Sequence, residues 1–568
     1  MGGLDVPTLS FNINDLMRFT RIESVEKIFY AIRQFKGEIK SIKGEEIIVE
    51  LEPDRPDLLS VEGLSRAVRN FFGVELNRTT HGSLYSDEPR IEVYVKDAKT
   101  RPYIACAIIR NLTIDNDFIK SLMNMQEALH ITLGRNRRKV AIGIHDYDKI
   151  VPPIIYTEVD GDEKMIPLDM YEEMSLKEIL VKHPKGKAYS TLVKEAYPVY
   201  IDKKGIFSFP PIINGERTRV NESTRNLFIE LTGVDEKSVE QTLNVLVCNI
   251  LERGGILEKV AIKYPNFSKI TPNLTPKQMR INIEMFNRLI GVKISLDEAL
   301  ILLKRMGYGI RVVNYTEVDV IIPPYRVDVL HPVDIIEDML ISYGYENITP
   351  ELPSIMTVGK PSLIEVLEGK IRELLIGMGF QEVMTFTLTS IASQTTLMNI
   401  NNANVLKLVN PISEEYNCYR FWITPNLLRF LSQNKHSAYP QKIFEIGYVA
   451  IPLEEDIYVQ RNTAVAISYS KASFTDAKEV LVSLMDGLGV EVSLEQYNHP
   501  SFISGRVAIV KVKDKCIGLI GEIHPKVLIN FNIEMPVSIL EFTHCQPTFP
   551  SKGIKVKTFK DDLTAKWL

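Results

Sequence analysis

No apolar run in this chain of 568 residues approaches the roughly 18 residues of a membrane helix, which speaks against a bilayer-spanning segment. The five cysteines (Cys106, Cys248, Cys418, Cys516, Cys545) lie far apart, without a C-x-x-C or a Cys/His cluster. That spacing argues against a zinc site or a disulfide framework and predicts isolated, buried thiols. No H-E-x-x-H and no Ser-His-Asp order is present, so zinc hydrolysis and nucleophilic hydrolysis gain no support. A phosphate-cradling G-x-x-x-x-G-K-[ST] is also missing, since Gly359-Lys360 runs into Pro361 without the earlier glycine. A net charge of −5 excludes a chain that is basic all over, so nucleic-acid contact would rest on local patches or on a partner. The opening MGGLDVPTLSFN has neither a basic nor an apolar leader region, and the expected location is the cytoplasm.

What is present organises around Pro323 to Tyr345, PPYRVDVLHPVDIIEDMLISYGY. Pro323 and Pro324 close an apolar strand (Val318, Val320, Ile322), Pro332 suits the first turn of a helix, and Ile335, Ile336, Met339, Leu340 and Tyr343 follow at helical spacing. Asp334, Glu337 and Asp338 stand at i, i+3 and i+4 and share one face, with Asp328 on the incoming loop. Such a face is either solvated or, because four crowded carboxylates repel, neutralised by a hard cation such as Mg²⁺ held through oxygen ligands.

The same pattern occurs earlier. FNINDLMRF, a helical segment and IIVELEPDRPDLLSVEGLSRAVRNFFGVE parallel INIEMFNRL, a helical segment and VDVIIPPYRVDVLHPVDIIEDMLISYGYE, with Arg55 on Arg326 and Asp57 on Asp328. This reads as one module used twice, each copy a helix pair, a short β-ribbon and a proline-bearing loop that feeds a final helix. Gly63, Arg66 and Ala67 replace Asp334, Glu337 and Asp338, so the first copy cannot hold the same metal. Its Arg66 and Arg69 make a basic helix, either a solvated face or a surface for RNA phosphates.

Between the copies, IEVYVKDA and PYIACAIIRNLTI read as strands and DFIKSLMNMQEALHITLG as an amphipathic helix stopped by Gly134. Arg135, Arg137, Arg138 and Lys139 form the densest basic stretch, ahead of VAIGIHDYD, HPKGKAY and FPPIINGERTRVNESTRNLFIELTG. After a proline-rich connector, Pro350 to Ser362, a long helix and several strands give a mainly antiparallel α+β pattern.

Arg326, Asp328, Asp334, Glu337, Asp338 and Tyr343-Gly344-Tyr345 resemble the metal-carrying module of the phenylalanyl-tRNA synthetase β-subunit family, in its archaeal and eukaryotic form. GIHD-x-D and PPIING…TRNLFIE are similar to that family's editing domain, and Asn410 to Gly447 looks like the class II synthetase fold. The resemblance implies a multi-domain α+β protein: a metal-less first module over 1–85, an editing domain over 86–270, a magnesium-carrying module over 271–348, and an antiparallel-sheet class II synthetase-like domain over 363–548.

That last domain is expected to be catalytically degenerate. A working class II site holds ATP phosphates with arginine forks; here Arg506 is the last arginine, and no R-x-E is recognisable around Arg420. The implied protein is therefore the β subunit of a cytoplasmic, membrane-free (αβ)₂ heterotetramer, with ATP and phenylalanine bound on a separate α subunit and tRNA(Phe) as the shared substrate. It departs from the bacterial form in showing neither an oligonucleotide-binding module near its N-terminus nor an anticodon-binding module at its C-terminus.

Editing has a physical motive. A pocket shaped for a phenyl ring rejects the same ring bearing a hydroxyl by only about 10², so a second pocket must look for the hydroxyl and hydrolyse Tyr-tRNA. The resemblance makes Glu230 the acceptor for the tyrosyl hydroxyl, places His145 near the adenosine or the ester, and gives Asn214 and Gly215 the shaping of the pocket. Asp328, Asp334, Glu337 and Asp338 become ligands of a structural or interface-ordering Mg²⁺. The alternatives are a non-catalytic RNA-binding scaffold with a decayed editing pocket, and a hydrolase that works without a partner.

Overall fold

Helices in the first copy of the module begin where the sequence supplies a cap. Asn12 accepts from the backbone of Asn14 and Asp15, Ser24 from Lys27 and Ser60 from Gly63, which opens Ile13–Thr20, Val25–Gln34 and Val61–Phe71. A computed structural model describes residues 7–75, 84–194, 196–354, 357–401, 403–453 and 456–544, with backbone alone at 84–87. Cys545 and the lysine-bearing tail after Pro550 lie outside them. The chain divides into two units, Met1–Leu352 and Pro353–Leu568.

In the first unit the strands Thr8–Asn12, Glu46–Glu50 and Glu38–Lys43 make an antiparallel sheet in that order. Lys277–Asn282, Glu317–Ile322 and Gly309–Val312 repeat the order, and the helices Ile283–Ile290, Leu296–Arg305 and Pro332–Tyr343 repeat the succession. Each ribbon is thus three-stranded, because a strand precedes the helix pair.

Between the copies a ten-stranded mixed sheet runs in the order Ile213–Asn214, Gly205–Phe209, Tyr197–Asp202, Ile154–Val159, Leu84–Val95, Ile256–Lys263, Tyr103–Arg110, Leu227–Gly233 and Val140–Asp146, with Ser268–Thr271 paired beside Ile256–Lys263. Only the two joints of Leu84–Val95 among these ladders are parallel. Central strands bury both faces, so they read as continuous apolar runs. Along Leu227–Gly233, Leu227, Ile229 and Leu231 enter one core while Phe228 enters another, and period-two alternation puts Glu230 on the side of Phe228. The sheet curls until its end strands touch, and Asn214 Nδ2 donates to Ile144 O at 3.1 Å.

The second unit is a seven-stranded sheet, antiparallel except where Gln381–Glu382 joins Gln441–Pro452. Ala464 and Ala466 face one core with the helix Thr424–Gln433, and Val465 and Ile467 face another with Leu363–Gly377 and Phe474–Gly487. Among the described residues no helix is long and apolar enough to cross a membrane. Cys106, Cys248 and Cys418 are buried and Cys516 is half-buried, all as free thiols.

Candidate functional site

A cavity of about 330 Å³ opens inside the curled sheet of the first unit, lined in part by Gln126, Ile144, Ser208, Asn214, Thr218 and Glu230. Glu230 is 1 % exposed. Its Oε1 accepts from Ser208 Oγ at 2.8 Å, while its Oε2 has no hydrogen-bond partner. Burial pushes the Glu230 carboxyl up to about 8, against smaller opposing effects of Ser208 and Arg101. His145 is wholly buried, with Nε2 3.8 Å from Glu230 Oε1 and no hydrogen-bond partner of its own. Its Nδ1 lies 2.8 Å from Thr218 Oγ1, and the rings of Phe207 and Phe228 pack against it. Burial, then the charge of Arg217, lowers His145 to about 3. At neutral pH both groups are therefore uncharged.

The structure brings Glu230, His145 and Asn214 together and leaves Gly215 outside the cavity wall. His145 is not among the cavity's lining residues and lies 3.8 Å from Glu230. Gly215 donates its N–H to Phe207 O at 2.7 Å, and a Cβ there would lie 3.0 Å from the same oxygen.

Four contributors escape a reading of the sequence. Gly143 faces Glu230 across the ladder, and a Cβ on it would sit 2.2 Å from Glu230 Oε1 and 2.9 Å from His145 Nε2. Ser208 and Thr218 supply the hydroxyls. Arg137, which follows Arg135 and Asn136 in a left-handed turn, points inward, bonding Pro211 O at 3.1 Å, Ile212 O at 2.9 Å and Glu127 Oε1 at 2.8 Å. The stretches that contain Gly143, Thr218 and Arg137 could be read from the sequence, but not the contacts these residues make, because chain closure assembles them.

The acidic helix differs from expectation. Arg326, itself buried, forks onto Asp328 and reaches Asp338. Tyr308 also donates to Asp338. Asp334 accepts from the backbone of Leu330 and His331 at 2.7 Å each, closing a capping box. Glu337 pairs with Lys36 at 2.7 Å. Among the described residues no three acidic, histidine or cysteine side chains form a group that could hold a metal ion. As placed, the four carboxylates do not fit Mg²⁺, because side-chain cations and backbone N–H groups already neutralise the crowding that called for it. Arg66 and Arg69 correct a second expectation. Both are buried, Arg66 against Tyr325, Glu252 and Asn249, and Arg69 against Glu252, Phe19 and Glu75. Neither can meet RNA.

In the second unit Arg420 is buried as well, with Nη1 on Glu445 Oε1 at 2.6 Å and on Thr385 Oγ1 at 2.9 Å and Nε on Tyr448 O at 2.9 Å. Glu541 accepts from Ile423 N, Thr424 N, Thr424 Oγ1 and Asn462 Nδ2. These polar groups bind one another.

Comparison with known proteins matches residues 99–249 to the B3/4 domain, 279–345 to the tRNA synthetase B5 domain, and 348–544 to the phenylalanyl tRNA synthetase beta chain CLM domain. The class is thereby set: an aminoacyl-tRNA synthetase chain, a ligase of translation. The phenylalanine–tRNA ligase beta subunit of Pyrococcus furiosus is 42 % identical over 499 residues, covering 86 % of this chain and 89 % of its own. That of Archaeoglobus fulgidus is 38 % identical over 510 residues, covering 89 % and 92 %. A crystal structure of an N-terminal fragment of the phenylalanyl-tRNA synthetase beta subunit from Pyrococcus horikoshii superposes with a TM-score of 0.55 at 37 % identity, covering 60 % of this chain and all of the fragment. The chain belongs to the phenylalanine–tRNA ligase beta subunit family, and a beta subunit implies an alpha partner.

Proposed function

We propose that this chain works with a separate α subunit, in an (αβ)₂ heterotetramer, to attach phenylalanine to tRNA(Phe), and that the cavity over Glu230 hydrolyses Tyr-tRNA made in error. One observation carries the editing reading: Glu230 lines a cavity and holds a buried oxygen without a partner, while most buried polar groups of the described residues are paired. A buried, unmet polar atom is costly unless a ligand meets it.

The chemistry follows from the uncharged pair. With Thr218 Oγ1 donating to Gly215 O, it accepts from His145 Nδ1–H, and the lone pair of the ring stands on Nε2. Glu230 Oε1 already accepts from Ser208, so its proton resides on Oε2. A phenol that reaches the floor accepts from the protonated Glu230 carboxyl, which thus donates where the resemblance implies an acceptor; a phenyl ring leaves Glu230 unmet. Sites built this way discriminate by about 10⁴–10⁵. Hydrolysis is then a matter of holding the ester against an ordered water, since the hydroxyls of Ser208 and Thr218 are engaged.

Aminoacylation belongs to the partner. Arg420 is locked onto Glu445, and a Cβ at Gly447 would already meet Arg420 Nη2 at 2.2 Å, so this guanidinium has no freedom to grip a nucleotide. The reaction runs in the cytoplasm, with ATP on the α subunit. The test is the αβ complex carrying Glu230→Ala: it should accumulate Tyr-tRNA while charging phenylalanine at the unaltered rate. Equal Tyr-tRNA in both complexes would favour a scaffold with a decayed pocket.

A further inference from the structure

The two copies of the module meet through charge. Each carries the same fork: Arg55 binds Asp57 at 2.8 and 2.9 Å, and Arg326 binds Asp328 at 2.7 and 3.1 Å. The first copy then reaches across. Lys36 Nζ lies 2.7 Å from Glu337 Oε1, and Arg55 lies 3.7 Å from Asp338 Oδ1 and 3.9 Å from Asp328 Oδ2. Tyr30 donates to Glu346, and the Arg66 guanidinium stacks 3.7 Å above the Tyr325 ring.

We infer that the first copy of the module is the built-in counter-ion of the second: Lys36 and Arg55 dock onto the acidic face of Asp328, Glu337 and Asp338 and fasten the copies together where a divalent cation would otherwise be needed. A cation on Asp328 and Asp338 would displace Arg326, which is 2 % exposed and would be left as a buried, unpaired charge, a strongly unfavourable outcome. The missing acids of the first copy thus have a purpose. Two acidic helices would repel, whereas a basic loop and an acidic helix attract.

The test uses the full-length chain at constant ionic strength, in EDTA and in millimolar MgCl₂, with two readouts: the thermal midpoint and hydrogen exchange of peptides covering 323–345. The unaltered chain should melt within about 1 °C in the two buffers, with equal protection of those peptides. Arg55→Met should melt about 5 °C lower in EDTA and in MgCl₂ alike, because Arg326 still occupies Asp328 and Asp338 and leaves Mg²⁺ no place to substitute for the lost guanidinium. Lys36→Met, at an exposed pair, should do the same more weakly. If Arg55→Met does not fold, Lys36→Glu should lose protection over 323–345 and the swap Lys36→Glu with Glu337→Lys should regain it. Protection in the unaltered chain that collapses in EDTA overturns the inference, as do an Arg55→Met chain that melts with the unaltered one or a swap that regains nothing.

Discussion

Two glutamates, Glu230 on the sheet of the first unit and Glu541 on the sheet of the second, are equally buried at 1 % exposure, and burial raises the carboxyl of both. Their surroundings part company there. Glu541 is ringed by donors from Ile423, Thr424 and Asn462, whereas Glu230 has one donor, Ser208, and an unmet oxygen over a cavity. A group with every lone pair satisfied by its own chain stabilises the fold and has nothing to offer a ligand. A group left wanting destabilises the fold slightly and is available for recognition.

The comparison can be broken most sharply at Glu230. Glu230→Ala should reduce the preference for Tyr-tRNA over Phe-tRNA in deacylation by about 1,000-fold, with little change in unfolding free energy; single-turnover deacylation of both substrates measures it. Glu541→Ala should do the reverse. It strands the amides of Ile423 and Thr424 and should cost about 3 kcal/mol in denaturant unfolding, leaving deacylation at the first unit unaltered. Were the two variants to behave alike, the distinction would be lost.

Gly143→Ala sharpens the contrast by steric means. Its Cβ enters the space between Glu230 and His145, and Tyr-tRNA deacylation should fall about tenfold, roughly the rate effect of 1.4 kcal/mol. The last test is in pH. The Glu230 carboxyl stands near 8 when folded and at about 4.3 when unfolded, so the folded state holds the proton more tightly and stability declines as pH rises through that window. Glu230→Gln should flatten the decline, read as the difference between the two unfolding free energies from pH 5 to pH 9. A difference that grows in the opposite direction means the carboxyl is ionised in its pocket.

Much of the fold could be read from local pattern. The twofold module and the start of the helix at Pro332 are written in short stretches, whereas the family resemblance is what singles out Glu230. Partners could not. Lys36 and Glu337, or Arg66 and Glu252, stand far apart along the chain, and no spacing rule relates them, so an acidic helix looks like a metal site and a basic one like an RNA surface. Both were instead halves of ion pairs completed by distant segments. The closing of the sheet has the same character: Ser208, Thr218 and Gly143 are ordinary residues until curvature brings two strands and the turn Glu216–Thr218 to one point.

The curled sheet is sewn shut by side chains, the amide of Asn214 on Ile144 and the guanidinium of Arg137 on Pro211 and Ile212. No ladder among the described strands joins Ile213–Asn214 to Val140–Asp146, so each of these side chains carries a share of the closure of the chamber over Glu230.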